Sequence, residues 1–313
     1  MKIVITGALG HIGSYVIRDF AHHFPSAEIV MIDNLMTQRF SSLFNLPTSI
    51  KYNFVEANVC EVDLRPLFEG ADAIIHLAAI TDAAGSFDKA KLVEDNNFEA
   101  TRNVAEACLS TGAPLISLSS TSVYGTQADV VSEDCSVDEL NPQSPYAETK
   151  LKEERMVSLL CKTRGLKAVT CRFGTIFGIS AGMRFHTAVN KFCWQATMGQ
   201  PLTIWKTAYE QKRPYLDLRD ASNALAFIIK NKLFNGSIYN VLTNNATVKE
   251  VVDVIRYKVP GLKINYVDSK IMNQLSYEVS CQRFLSEGFI FSGDISRGIE
   301  ETLHLLKPSN SIG

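Results

Sequence analysis

Between an apolar, β-branched run at residues 2–6 and the helical pattern Tyr15-Val16-Ile17-Arg18-Asp19-Phe20 stands Gly7-Ala8-Leu9-Gly10-His11-Ile12-Gly13. This order of strand, glycine turn and helix constrains the fold more than any other stretch of the chain. Gly7 permits the tight turn, Gly10 lets the backbone approach a pyrophosphate, and Gly13 lets the helix pack closely on the strand. A second strand pattern at residues 28–32 ends in Asp33, about twenty residues beyond the last glycine. A carboxylate there can accept hydrogen bonds from the adenosine ribose hydroxyls and would repel a 2′-phosphate, which favours NAD over NADP. The competing reading of Asp33-Asn34 is a helix cap or a turn.

Further strand patterns recur at residues 52–55, 73–77, 115–119 and 168–172, with helical stretches at 62–69, 88–110 and 145–164 between them. The alternation predicts a doubly wound parallel α/β sheet of the Rossmann type, covered on both faces. Ligands collect at the carboxyl ends of the strands in such a sheet, and Gly7, Asp33, Ala78-Ala79 and Ser119-Ser120 all stand at predicted strand ends. Beyond Phe173 the rhythm weakens. A loop at 178–182, helices at 185–197, 220–230 and 248–259, and short strands at 201–205, 215–218 and 238–242 predict a smaller mixed α/β lobe. Residues 1–175 are thus expected to bind the dinucleotide and carry the chemistry. Residues 176–313 are expected mainly to bind substrate, with the stretch at about 206–245 partly returning to the first domain. Residues 129–141 read as a surface loop approaching the site.

Composition removes several classes. A chain of 313 residues with 46% hydrophobic and 20% charged residues has enough apolar content for a large core, and no segment approaches the ~18 apolar residues of a membrane helix. A net charge of −2 gives no basis for a general affinity for nucleic acid. Seven scattered cysteines without a CxxC pair disfavour a metal or redox motif and read as small buried hydrophobes in a reducing compartment. Met1-Lys2 runs straight into a strand pattern, unlike a signal peptide, so the expected location is cytoplasmic. His22-His23 reads as the end of the first helix, and His76, in an apolar run, as a core histidine.

The segment carrying the chemistry is Ser144-Pro145-Tyr146-Ala147-Glu148-Thr149-Lys150, read with Ser119-Ser120-Thr121-Ser122-Val123-Tyr124-Gly125 upstream. Ser144 can cap a helix with Pro145 at its first position. Tyr146 and Lys150, four apart, then share a face, and the ammonium is expected to move the phenol from about 10 towards the working range of a base.

The pattern as a whole resembles the extended short-chain dehydrogenase/reductase family, in its branch of NAD-dependent nucleotide-sugar epimerases and dehydratases. The matching pieces are Thr6 to Gly13, Asp33-Asn34-Leu35, His76-Leu77-Ala78-Ala79, Asn97 with Thr101, Ser119 to Gly125, Tyr146-x-x-x-Lys150 and Arg172-Phe173-Gly174-Thr175-Ile176-Phe177-Gly178. They occupy roughly residues 1–180 in the family's order; Arg213 to Asp220, Leu285 to Phe289 and the helical stretch at 295–306 carry a looser likeness. The resemblance implies that Tyr146 is the acid/base, that Lys150 binds the nicotinamide ribose and sustains the phenolate, and that Ser120 hydrogen-bonds the reacting oxygen. It implies NAD contacts at Gly7, Leu9, Gly10, His11, Ile12, Gly13, Asp33, Asn34, Asn58, Val59, Leu77, Ala78, Ala79, Asn97 and Ser119, besides Tyr146 and Lys150. Candidate substrate contacts are Thr81, Ser120, Thr121, Ser122, Tyr146, Gly174, Arg184, His186 and Arg213. For Arg184 and His186 a loop or helix-start role competes, and for Arg213 the alternatives are a substrate diphosphate or an ion pair such as one with Asp217.

Family dehydratases carry an Asp-Glu pair, and the related decarboxylases a Glu, where this chain has Thr121-Ser122. The expected reaction is therefore epimerisation of a nucleotide-linked sugar through a ketone, with NAD regenerated in each cycle. The alternatives are a dehydrogenase or reductase with net cofactor turnover, and a non-catalytic NAD-binding sensor or scaffold. Two departures bear on the ligands: Gly174 replaces a usual Asn that helps hold the substrate nucleotide, and Asn58 replaces a usual Asp near the adenine. By analogy, the helices at 88–110 and 145–164, with Val93, Val104, Met156 and Leu160, suggest a homodimer, although those apolar positions must also cover the sheet.

Overall fold

The computed structural model describes residues 1–81, 90–125, 130–268 and 277–307; the expected start of the second long helix at 88–89, and residue 129 of the expected loop, lie outside them. The described strands are β1 (Lys2–Thr6), β2 (Glu28–Asp33), β3 (Lys51–Glu56), β4 (Ala73–His76), β5 (Leu115–Ser120), β6 (Val130–Val131), β7 (Ala168–Phe173), β8 (Thr175–Phe177), β9 (Leu202–Trp205), β10 (Lys212–Asp217), β11 (Ile238–Val241), β12 (Asn244–Thr247), β13 (Ile264–Val267) and β14 (Glu278–Val279). The helices are α1 (His11–His23), α2 (Arg65–Phe68), α3 (Ala90–Thr111), α4 (Pro145–Arg164), α5 (Ala188–Thr197), α6 (Leu218–Asn231), α7 (Val248–Lys258), α8 (Gln282–Ser286) and α9 (Ile295–Leu306).

Seven strands form one parallel sheet in the order β11-β7-β5-β4-β1-β2-β3. Side chains alternate across it as the strand period requires. Ile3, Ile5, Ile75, Ile116 and Val169 pack with Val16, Ile17 and Phe20 of α1 and with Leu225 and Ile228 of α6. Val4, Ile74, Leu115 and Ala168 face the other way, onto Val104 and Cys108 of α3 and Val157 and Leu160 of α4. Both faces are dry, which is why these strands read as continuous apolar runs. The chain runs outward from β1 through β2 to β3 and then crosses to β4 on β1's other side, so a crevice opens at the carboxyl ends of β1 and β4.

The remaining elements build a smaller region. β10 pairs parallel with β8 and antiparallel with β12, β13 pairs with β9, and α5, α7 and α9 bury Val189, Val251, Ile255 and Ile299 with Phe177 and Tyr215. β11 is the outer strand of the large sheet and α6 packs on that sheet, whereas β10 belongs to the three-stranded one. The helix expected at 62–69 is confined to Arg65–Phe68. Asp63 Oδ1 accepts from the Arg65 amide at 3.0 Å and Pro66 follows, so the turn can begin only there.

α4 is fixed at both ends and from below. Ser144 Oγ accepts from the Ala147 amide at 3.2 Å, Pro145 takes the first position, and Gly165 ends the helix at φ +70°. Val93, Val104 and Leu160 are buried within the chain and Met156 packs on the core, while Leu92 and Leu159 of α3 and α4 are exposed. All seven cysteines are free thiols, with Cys108, Cys171 and Cys193 buried. Among the described residues no helix is long and apolar enough to cross a membrane, and no cluster of His, Cys, Asp or Glu is placed to hold a metal.

Candidate active site

The strand ends open on a cleft of about 400 Å³. Its wall gathers Gly7, Gly10, His11, Ile12, Gly13, Asp33, Asn34, Asn58, Val59, Leu77, Ala78 and Ala79 with Thr81, Ser119, Ser120, Thr121, Ser122, Tyr146, Lys150, Gly174, Arg184, His186 and Arg213. Residues as far apart in sequence as 7 and 213 thus share one wall. Two residues expected at the cofactor are not on it. Leu9 is buried, its amide donating to Asp33 Oδ2 at 3.0 Å. Asn97 is buried and clamps the backbone after β4, accepting from the Ile80 amide at 2.8 Å and donating to the Ile80 carbonyl at 2.9 Å.

The glycine turn is built as its sequence demands. Gly7 has φ +67°, and a Cβ there would lie 2.6 Å from the Ala78 amide nitrogen. At Gly13 a Cβ would lie 2.6 Å from the carbonyl oxygens of both Gly7 and Ala8. α1 starts at Gly10 without a side-chain cap, so its first amides have no partner inside the helix and remain available to an anion. Asp33 uses one lone pair of each oxygen on the turn, Oδ2 from Leu9 and Oδ1 from the Leu35 amide at 2.9 Å, which leaves acceptor capacity for ribose hydroxyls. Ser119 Oγ is buried and without a partner among the described residues. An uncapped helix start, a cradle too tight for a Cβ and an orphaned hydroxyl on one wall fit a dinucleotide.

Asn58 turns towards its own loop, donating to Glu61 at 2.7 Å and accepting from the Cys60 amide at 3.1 Å. His11 is buried between Ser180 and Asn190, at 2.7 and 3.2 Å. Burial first, then Arg39, Arg184 and His186, push its imidazole down to about 3, so it is neutral. Gly182 lies over the turn: a Cβ there would sit 2.4 Å from the Leu9 carbonyl oxygen. Its amide donates to Ser14 Oγ at 2.8 Å and its carbonyl accepts from Arg39 Nη1 at 2.7 Å.

At the reacting end, Ser120 Oγ accepts from the Ser122 amide at 3.2 Å and from the Ser122 hydroxyl at 2.9 Å, so the two hydroxyls act as a pair. Lys150 Nζ is 6.0 Å from the centre of the Tyr146 ring. The expected depression of Tyr146 is not what the structure has. Desolvation is the largest influence and raises the phenol above its ordinary value, with Glu153 adding to the rise and Lys150 and Arg184 opposing it. The ammonium is engaged elsewhere, 2.9 Å from the buried carboxylate of Glu153.

Arg184 donates to Thr81 Oγ1. Arg213 leaves Nε buried without a partner among the described residues and reaches Gln211 at 3.4 Å, while Asp217 is met by Arg219 at 3.6 Å. Gly174 is closely covered: a Cβ would lie 3.0 Å from the Pro214 carbonyl oxygen and 3.3 Å from Leu242 Cβ. A side chain there would require these neighbours to give by a few tenths of an ångström. Arg39 and Tyr277 also line the cleft, and neither stands out in the sequence. Arg39, six residues beyond Asp33, offers its charge as a signal; Tyr277, remote from every motif, offers none.

With serine hydroxyls, phenol and ammonium on the same wall as the glycine turn, the molecule falls among the extended short-chain dehydrogenases/reductases. Within that class, the model of the NAD dependent epimerase/dehydratase family matches residues 3–241, and the chain belongs to this family of NAD-dependent enzymes. It is 30% identical over 264 residues to an uncharacterized UDP-glucose epimerase of Bacillus subtilis, covering 82% of this chain and 81% of that one. A trifunctional UDP-glucose 4,6-dehydratase/UDP-4-keto-6-deoxy-D-glucose 3,5-epimerase/UDP-4-keto-L-rhamnose-reductase of Arabidopsis thaliana is 29% identical across 96% of this chain, which spans only 46% of that protein. The fold matches UDP-glucuronic acid 4-epimerase from Bacillus cereus, solved with UDP-glucuronic acid and NAD, at a TM-score of 0.88 and 23% identity, covering 98% and 99% of the two chains.

Proposed function

We propose that the protein is an NAD-dependent epimerase of a nucleotide-linked sugar, inverting one carbinol through a keto intermediate. The observation that carries this reading is the cleft's charge. Among its described lining residues the only carboxylate is Asp33, bound to the glycine turn, while Lys150, Arg39, Arg184 and Arg213 are cationic. Elimination of water needs a further acid or base beside the phenol, and Thr121 and Ser122 supply only hydroxyls. Arginines facing an open cleft suit diphosphates, which a dinucleotide and a nucleotide sugar both bring.

Bound NAD would take the hydrogen and electron pair from the carbinol carbon and give them back. Gly7, Gly10, Ile12, Gly13, Asp33, Ser119 and Lys150 are the residues suited to hold it. As the phenolate, Tyr146 accepts the hydroxyl proton at Oη as the carbonyl forms, and as the phenol it returns the proton when the carbinol is restored on the other face. Ser120, held by Ser122, donates to the same oxygen, and the Lys150 charge favours the phenolate. The uridine-diphosphate sugars of the similar proteins support a sugar carried on uridine diphosphate; in this reading Arg213 meets the diphosphate, and Arg184 and Thr81 meet the sugar. The assembly is read as a homodimer through α3 and α4, where Leu92 and Leu159 are exposed; sedimentation checks it.

A panel of nucleotide sugars followed by product separation tests the function. One sugar should equilibrate with its epimer, and Tyr146→Phe should lower kcat by roughly 10²–10⁴-fold. Conversion at the unaltered rate in that variant would overturn the assignment.

A further inference from the structure

Glu153 stands one turn beyond Lys150 on α4 and is 2% exposed. Its Oε2 accepts from Lys150 Nζ at 2.9 Å and from Thr101 Oγ1 at 2.8 Å, while Oε1 has no partner among the described residues. Behind Thr101 the chain of contacts continues. His76 Nε2 lies 3.2 Å from Thr101 Oγ1, His76 Nδ1 lies 2.7 Å from Thr6 Oγ1, and the Ala78 amide reaches Thr6 Oγ1 at 3.4 Å. Burial pushes His76 down to about 3, so the ring is neutral. Each proton then has one address. Ala78 donates to Thr6, Thr6 to His76 Nδ1, His76 Nε2–H to Thr101, and Thr101 to the carboxylate. The sequence ends on the one member that carries negative charge, and that charge sits against Lys150.

Taking a carboxylate this far from water costs free energy that its donors and its cation offset. Lys150 Nζ lies 2.9 Å from Glu153 and 6.0 Å from the Tyr146 ring centre, so the carboxylate is the nearer claimant on the ammonium.

We propose that Glu153 is a positioning residue for the reaction: an internal counter-ion, braced by the Thr6–His76–Thr101 chain, that draws the Lys150 ammonium to one side of the Tyr146 phenol and thereby sets the pH at which the phenol works. The inference rests on the reading of Tyr146 as the acid/base. Among the described residues, the charged groups facing the phenol are Lys150 and Glu153 on its own helix and Arg184 from the segment ahead of α5. Among the described residues, the titratable groups facing the ammonium are Glu153, Tyr146 and Glu154 on α4 and the neutral imidazole of His76 on β4. Of the described groups facing the phenol, only Glu153 opposes its ionisation.

The test reads the phenol without any substrate. Tyrosinate absorbance is titrated in the folded protein, each form being compared with the same form carrying Tyr146→Phe. In Glu153→Gln, which keeps the shape and removes the charge, Tyr146 should titrate about one pH unit or more below its position in the unaltered protein. Glu153→Asp keeps the charge but draws it back from Nζ, and should fall between. The rising limb of the kcat profile should move down in pH by the same amount, with KM nearly constant. A folded Glu153→Gln whose Tyr146 titration is unmoved, or whose kcat drops equally at all pH, would overturn the proposal and leave Glu153 a structural ion pair. If Glu153→Gln does not fold, Glu153→Asp takes its place, and an unmoved Tyr146 titration in that variant overturns the proposal equally. Because the absorbance measurement needs no turnover, its failure is distinguishable from failure of the epimerase assignment.

Discussion

Glu154 and Arg172 meet in a two-point ion pair beneath the cleft, Nε to Oε1 at 2.9 Å and Nη2 to Oε2 at 2.7 Å, both side chains being buried. The guanidinium also lies 4.8 Å from the Tyr124 ring centre. The pair ties α4, which carries Tyr146 and Lys150, to β7 of the sheet, and its partner charge holds the guanidinium above the ordinary arginine value. Breaking such a pair strands a buried charge. Glu154→Gln or Arg172→Met should therefore lose about 3–5 kcal/mol in urea denaturation, whereas a double replacement by apolar residues of similar volume should lose much less. Equal losses in the single and double variants would contradict this.

Gly13→Ala is expected to separate binding from global folding. The added Cβ meets backbone oxygens of Gly7 and Ala8 at 2.6 Å, so the glycine turn and the start of α1 must move apart. Overpacking of this kind costs about 1–3 kcal/mol. NAD affinity, measured by calorimetry, should fall at least tenfold while the circular dichroism of the sheet is retained. Unchanged affinity would remove the turn from the cofactor site.

Acid should destabilise the protein from about pH 6.5 downward. His11 and His76 are both pushed from 6.5 to about 3 by burial. Below pH 6.5 the unfolded chain takes up protons at both while the folded one does not, so stability falls as pH drops from about 6.5 towards 3. Two such groups give a slope of up to about 2.7 kcal/mol per pH unit in that window. Denaturation midpoints across the range check it, and His76→Asn should remove about half of the slope.

What could be read from sequence, and what could not, divides on a physical line. The turn at Gly7, the acid at Asp33 and the Tyr146–Lys150 spacing are local patterns whose positions follow from strand and helix periods, and the structure gathers them on one wall. Asn97 carries a motif but serves the backbone after β4, because an amide that completes a turn and one that meets a ligand look alike in sequence. Nothing local in the sequence marks Glu153 and Glu154 as buried; their burial depends on the cations at Lys150 and Arg172 that pair with them. The depression expected at Tyr146 follows from the adjacent ammonium alone and omits both desolvation and the carboxylate that competes for it. Gly174 lies tightly against Pro214, forty residues on, a contact that nothing local in the sequence announces.

The most direct measurement follows the absorbance of reduced nicotinamide while a nucleotide sugar turns over on the protein. The sugar should equilibrate with its epimer from either side while that absorbance returns to its starting level. Reduced cofactor accumulating in proportion to substrate consumed, or a product that has lost water, would contradict the epimerase reading.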